Sequence, residues 1–128
     1  MSGSSTGGLA AAFAGVRRPD VFGHVLCQSG ALWWKPADDP ELEWLARQVA
    51  ARPLSLQRWH LEAGAFEVSG EDASILLSTR HLRTVLRAKG YPVHYAEFSG
   101  GHTYLCWRGT LADGLIALLG KDARWNVE

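Results

Sequence analysis

The 128-residue chain has little that would tie it to a charged or membranous partner, and little cysteine. Thirteen Lys and Arg offset thirteen Asp and Glu, with no basic block. That argues against the electrostatic footprint of a nucleic-acid or membrane-surface protein and leaves room for a small charged ligand. No apolar run approaches the roughly 20 residues that cross a bilayer, and the N-terminus lacks the charged and apolar regions of a signal peptide. The two cysteines, Cys27 and Cys106, sit in apolar surroundings without metal-ligand spacing. They read as buried reduced thiols rather than a disulfide, which favours a cytoplasmic setting. There is no internal repeat and no low-complexity segment. What is present is an apolar fraction of 47%, ordinary for one folded domain with a hydrophobic core.

Short β-like runs alternate with helical patterns, the signature of parallel βαβ units. The spacing predicts helices over 7–17, 40–51, 73–89 and 104–119, and strands over 22–28, 56–62 and 91–98. Proline after Arg18 stops the first helix, Pro40 and Glu41 open the second, and Gly90 ends the third. On the last helix, Leu111, Leu115 and Leu118 are expected to face the sheet. The result is an α/β architecture of about three parallel strands with flanking helices and one unpaired edge, a surface suited to self-association. Residues 121–128 read as a polar tail in which Trp125 has room to dock.

The segment Gly3-Ser4-Ser5-Thr6-Gly7 matches G-x-S-x-G, the strained strand-to-helix turn that exposes a nucleophilic serine in α/β-hydrolases. A small-residue helix follows it, while the strand that should precede it is expected to be missing. A serine hydroxyl is a weak nucleophile at neutral pH, so it needs a base in hydrogen-bond reach and a third group to orient that base. The fold uses the chain order serine, acid, histidine, each in a loop at the carboxyl end of a strand. Ser5, Glu67 and His102 have that order and those positions, with Glu71 and Asp72 as alternatives for the acid in the same loop. The backbone N–H of Thr6, after the nucleophile, is the expected oxyanion donor, and a second donor would come from a loop after an earlier strand. Trp33 and Trp34 either wall a pocket for an aromatic substrate or pack their loop onto the helix that follows. Trp107 is expected to pack beneath the His102 loop. Arg108 either contacts an anionic ligand or solvates the last helix. His24, His60, His81 and His94 read as structural or solvated.

Ser2 to Gly15, Phe22-Gly23-His24-Val25-Leu26-Cys27-Gln28-Ser29-Gly30-Ala31-Leu32-Trp33-Trp34, and Gly100-Gly101-His102-Thr103-Tyr104-Leu105-Cys106-Trp107-Arg108-Gly109 together resemble the enterochelin (ferric enterobactin) esterase family, a branch of the esterase D-type α/β-hydrolases. The resemblance extends to about Leu119 and covers only the C-terminal catalytic portion of such an enzyme. It implies residues 1–120 as part of an α/β-hydrolase domain whose N-terminal half of the sheet is absent. It also implies Ser5 as nucleophile, His102 as base and later acid, and a small-molecule ester substrate, a siderophore trilactone used in iron acquisition. No metal or organic cofactor is implied, because iron would arrive with the substrate. Thr103 stands where many relatives carry aspartate. Two further readings are an esterase or acyltransferase of the same fold with another substrate, and a non-catalytic truncated remnant.

Overall fold

The computed structural model describes residues 1–68, 70 and 73–121. Strands and helices alternate: β1 (Ser2–Ser4), α1 (Thr6–Arg17), β2 (His24–Gln28), α2 (Trp44–Ala51), β3 (Arg58–Gly64), α3 (Ile75–Lys89), β4 (Val93–Phe98) and α4 (Tyr104–Leu119). The strands form one parallel sheet in the order β1-β2-β3-β4, so α1, α2 and α3 each carry the chain to the neighbouring strand. All four strands therefore end along the same edge of the sheet, where the loops leading into the helices meet.

Side chains alternate across a strand, and the two faces have different partners. Val25, Cys27, Trp59 and Leu61 form one buried cluster with Ala12 and Val16 of α1, Leu45 and Val49 of α2, and Leu82 and Leu86 of α3. The other face carries Leu26 and His60 toward α4. There Gly114 approaches so closely that a Cβ would lie 2.9 Å from Leu26 Cδ1 and 3.0 Å from His60. Caps place the ends of the two long helices. Ser74 Oγ accepts the Leu77 N–H at 3.1 Å, and Gly90, at φ 96°, closes α3 in the left-handed region that favours glycine. Thr103 accepts the Cys106 N–H at 3.3 Å and starts α4.

Three expectations need correction. The sheet has four strands, because Ser2–Ser4 pair with Leu26, Cys27 and Gln28. Three small polar residues carry no strand pattern, and only the partner strand makes them one. The second helix begins at Trp44, not Pro40. Asp39 ties up the intervening turn by accepting the Glu41 N–H and the Arg47 guanidinium, and Glu43 then enters the left-handed region at φ 58°. Finally, α4 turns Trp107, Gly114 and Leu118 to the sheet, while Leu111 and Leu115 are 37% and 40% exposed. That helix is apolar around most of its circumference, so its periodicity does not select a face.

Candidate active site

Ser5 is the hinge between β1 and α1. Its φ of 57° and ψ of −125° lie in a region that non-glycine residues seldom occupy, a strained position held from several sides. Its N–H donates to Gln28 O at 3.0 Å, and its carbonyl accepts the Leu9 and Ala31 N–H groups at 3.1 and 3.0 Å. The turn closes so tightly that a Cβ on Gly3 would overlap the Gly7 carbonyl. A Cβ on Gly8 would meet Gly30 Cα at 3.0 Å, so Gly8 supplies the close helix-to-strand approach. A serine before a helix ordinarily caps it with its hydroxyl. Ser5 makes no such cap, and its Oγ is committed elsewhere.

Ser5 Oγ lies 2.8 Å from His102 Nε2, and His102 Nδ1 lies 2.7 Å from Glu67 Oε1. These two contacts fit one tautomer, with Nδ1–H donating to the carboxylate and Nε2 accepting the serine proton. The Glu67 side chain is 2% exposed and the His102 side chain 41%. The acid is thus shielded, while the imidazole opens to solvent. The Gly64 N–H donates to Glu67 Oε2 at 2.6 Å, and the Leu76 N–H to its carbonyl at 3.1 Å, fixing the loop at both ends. Glu71 and Asp72, the alternative acids, lie outside the described residues, as does the tail beyond Lys121.

Thr6 is the first residue of α1, where backbone N–H groups lack intrahelical partners and the helix dipole is positive. Its N–H is suited to a developing oxyanion beside Ser5. Trp33 and Trp34, adjacent in sequence, line different hollows. Trp33 joins Phe66, Ile75, Glu67 and His102 around a cavity of about 370 Å³. Trp34 joins Thr6, Leu9, Phe13 and Trp44 around one of about 250 Å³. Arg108 is not brought to this cluster, and instead borders a groove with Ser4, Tyr104 and Leu111 between β1 and α4. Phe66 and Phe13 escaped sequence reasoning because isolated aromatics in a loop and on a small-residue helix carry no motif.

Trp107 lies beneath His102 as expected, its ring edge-on at 4.8 Å. A second cluster of buried polar groups surrounds Glu62. His60 bridges Glu62 Oε2 and His94 Nδ1, each at 2.9 Å, and Glu62 Oε1 accepts from Gln28 Nε2 at 2.9 Å and from Thr110. Among the described residues, no group of three or more His, Cys, Asp or Glu is arranged to hold a metal ion. Among them, too, no helix is long and apolar enough to cross a membrane.

The profile of the Esterase family matches residues 1–118. The chain belongs to that family. It is 36% identical over 133 residues to the iron(III) enterobactin esterase of Dickeya dadantii, covering 95% of this chain and 29% of that relative. Against the iron(III) enterobactin esterase of Escherichia coli strain K12 the identity is 36% over 120 residues, 92% of this chain and 29% of the relative. The chain thus spans under a third of the length of these curated relatives. Among solved structures, the Shigella flexneri enterobactin esterase in the presence of 2,3-di-hydroxy-N-benzoyl-serine superposes with a TM-score of 0.76 at 36% identity, over 91% of this chain and 30% of that one. The siderophore hydrolase EstB of Aspergillus nidulans, 16% identical, shares the fold with a TM-score of 0.73 over 98% of this chain and 49% of its own.

Proposed function

We propose that this chain carries the serine machinery of a carboxylic ester hydrolase that opens the trilactone of a ferric catecholate siderophore. The observation behind this reading is the unbroken hydrogen-bonded series Ser5–His102–Glu67. Ser5 Oγ attacks the ester carbonyl while His102 Nε2 takes the hydroxyl proton. Glu67 holds the tautomer and stabilises the imidazolium that forms. The carbonyl oxygen becomes an oxyanion facing the Thr6 N–H. Collapse breaks the ring C–O bond, and the alkoxide, still tethered to the acyl chain, takes the proton from His102 and becomes an alcohol. Water then attacks the acyl-enzyme as its proton passes to the same nitrogen, and Ser5 is released with the carboxylic acid. The iron of such a substrate is cargo, outside these steps.

The hollows around Trp33 and Trp34 support an aromatic substrate, since both are walled by rings. The substrate class comes from the relatives, which are enterobactin and salmochelin esterases. Fold and triad do not by themselves select a substrate. A second copy of the chain pairing along the outer side of β1 belongs to the same proposal. It is supported by a strand that is hydrogen-bonded on one side only among the described residues, and sedimentation equilibrium reads it.

The test is intact-mass analysis after fluorophosphonate treatment of the native chain, the heat-denatured chain and Ser5→Ala. One adduct on the native chain alone is expected. A soluble native chain that takes no adduct would sink the reading and leave the non-catalytic one. A labelled chain is then offered a catechol trilactone and a simple aryl ester. Preference for the trilactone is expected, and indifference between them would assign the same chemistry to another ester.

A further inference from the structure

We propose that Ser29 and Trp107 form a brace that positions the Glu67–His102 pair, which makes both of them positioning residues for the reaction proposed above. This inference rests on that reading of the triad. Its starting point is the second oxygen of the triad acid. Glu67 Oε2 lies 2.7 Å from Ser29 Oγ and 2.6 Å from the Gly64 N–H, so Oε1 alone is left to face His102. A carboxylate pinned at one oxygen by two donors cannot rotate without losing both.

The direction of these bonds follows from the groups themselves. An indole N–H can only donate, and Trp107 Nε1 lies 2.8 Å from Ser29 Oγ. The hydroxyl therefore accepts from Trp107, and its single hydrogen goes to Glu67. The order is Trp107 to Ser29 to Glu67 to His102, with no alternative polarity, and each bond polarises the next. The same indole meets the His102 ring edge-on at 4.8 Å. One side chain thus touches the base directly and reaches the acid through a single hydroxyl.

Trp107 is itself gripped. Gln28, the neighbour of Ser29, donates Nε2–H to the Trp107 carbonyl at 2.9 Å, and Glu62 anchors that amide. Ser29 is fully buried, sits at φ 45°, and donates its N–H to Glu62 O at 2.8 Å. Packing alone would not call for a hydroxyl at a strained position inside the protein, since alanine would fill it without a polar group to satisfy. The hydroxyl is accounted for by the indole and the carboxylate that meet on it.

The test compares the parent with Ser29→Ala, Trp107→Phe and the double variant by two readouts. The first is the proton NMR signal of the hydrogen shared by His102 Nδ1 and Glu67, which requires no turnover. The second is the rate of Ser5 modification by fluorophosphonate. Thermal melting establishes that each variant is folded. In both single variants the shared-proton signal should shift or broaden, and the labelling rate should fall about tenfold or more, the scale of a hydrogen bond to a charged group. In the double variant the shared-proton signal should change little beyond Ser29→Ala, because the indole N–H reaches the acid only through Ser29. Folded variants with an unchanged signal and labelling rate would overturn the brace. If Ser29→Ala does not fold, Trp107→Phe decides, since it keeps an aromatic ring beside His102 while losing the N–H donor, and Trp107→Leu, which loses both ring and donor, separates the donor from the packing. A parent that never labels at Ser5 would defeat the catalytic reading, while the shared-proton signal would still decide for or against the brace.

Discussion

Glu62 and Glu67 are both buried carboxylates bonded to an imidazole, and only the imidazole of Glu67 continues to a hydroxyl. His60, the partner of Glu62, ends on His94 instead. The two acids should therefore fail differently. Glu67→Gln presents an amide to His102 and favours the wrong tautomer, so turnover should fall on the order of 10³–10⁴-fold with KM little changed. Glu62→Gln should cost about 1–3 kcal/mol of stability through disturbed bonds to Gln28, Thr110 and His60. Steady-state kinetics beside chemical denaturation of both variants separates the two outcomes.

Much of this arrangement was legible in the sequence, and the exceptions have physical causes. Ser5, Glu67 and His102 follow from the glycine-bounded turn and from loops at strand ends, because backbone constraints there leave a mark on composition. α4 spans the expected residues because Thr103 caps it. β1 stayed hidden because its identity as a strand resides in Leu26, Cys27 and Gln28 opposite it. The buried face of α4 does not show in the sequence because leucines surround the helix, and the deciding residue is Gly114, whose contribution is the absence of a side chain. The brace was hidden for another reason. Ser29 and Trp107 are 78 positions apart, and nothing in either neighbourhood announces the other.

Gly64 and Gly101 make a matched pair of tests for the loops that carry Glu67 and His102. A Cβ on Gly64 would overlap the Gly100 carbonyl and press on Phe98, where the ends of β3 and β4 pair side by side. Gly64→Ala should destabilise the chain by about 1–3 kcal/mol and slow Ser5 labelling, as overpacking does. A Cβ on Gly101 meets nothing within 4 Å. Gly101→Ala should leave stability within about 0.5 kcal/mol. Equilibrium denaturation of the two variants provides the comparison.

Acid should weaken the fold in a defined window. The Arg80 guanidinium, followed by the Tyr95 hydroxyl, bonds Glu97 and lowers its carboxyl from 4.5 to about 2. Burial pushes the Glu62 carboxyl upward, but hydrogen bonds from His60, Thr110 and Gln28 outweigh it and leave a net lowering. Depressed carboxyl groups contribute stability that is fully present above the unfolded value and is lost as pH falls through the folded one. Stability should thus decline from about pH 4.5 toward pH 2, the range of the Glu97 shift. Glu97→Gln should flatten part of that decline. The part is small, on the order of 1 kcal/mol or less, because this pair is partly exposed and screened. Denaturant midpoints measured across this range check the slope.

The two thiols should react unequally. Cys27 is fully buried, and burial pushes its thiol up to about 12, whereas Cys106 is half-buried at the start of α4. Since the thiolate is the reactive form, alkylation of the folded chain should add one label at Cys106 and a second only in denaturant. Mass analysis of labelled peptides reads the sites directly.

The strand that presents Ser5 is three residues long and lies at the rim of the sheet, while the loops bearing Glu67 and His102 spring from β3 and β4. Ser5 and its hydrogen-bond partners therefore spring from strands of unequal length and position in the sheet. A rim strand this short frays before the helices on either face let go. On warming, fluorophosphonate labelling of Ser5 is expected to fall while the circular dichroism is still that of the intact fold. Loss of labelling and melting would then come at two separate temperatures, and the gap between them would measure how firmly β2 holds Ser5 in place.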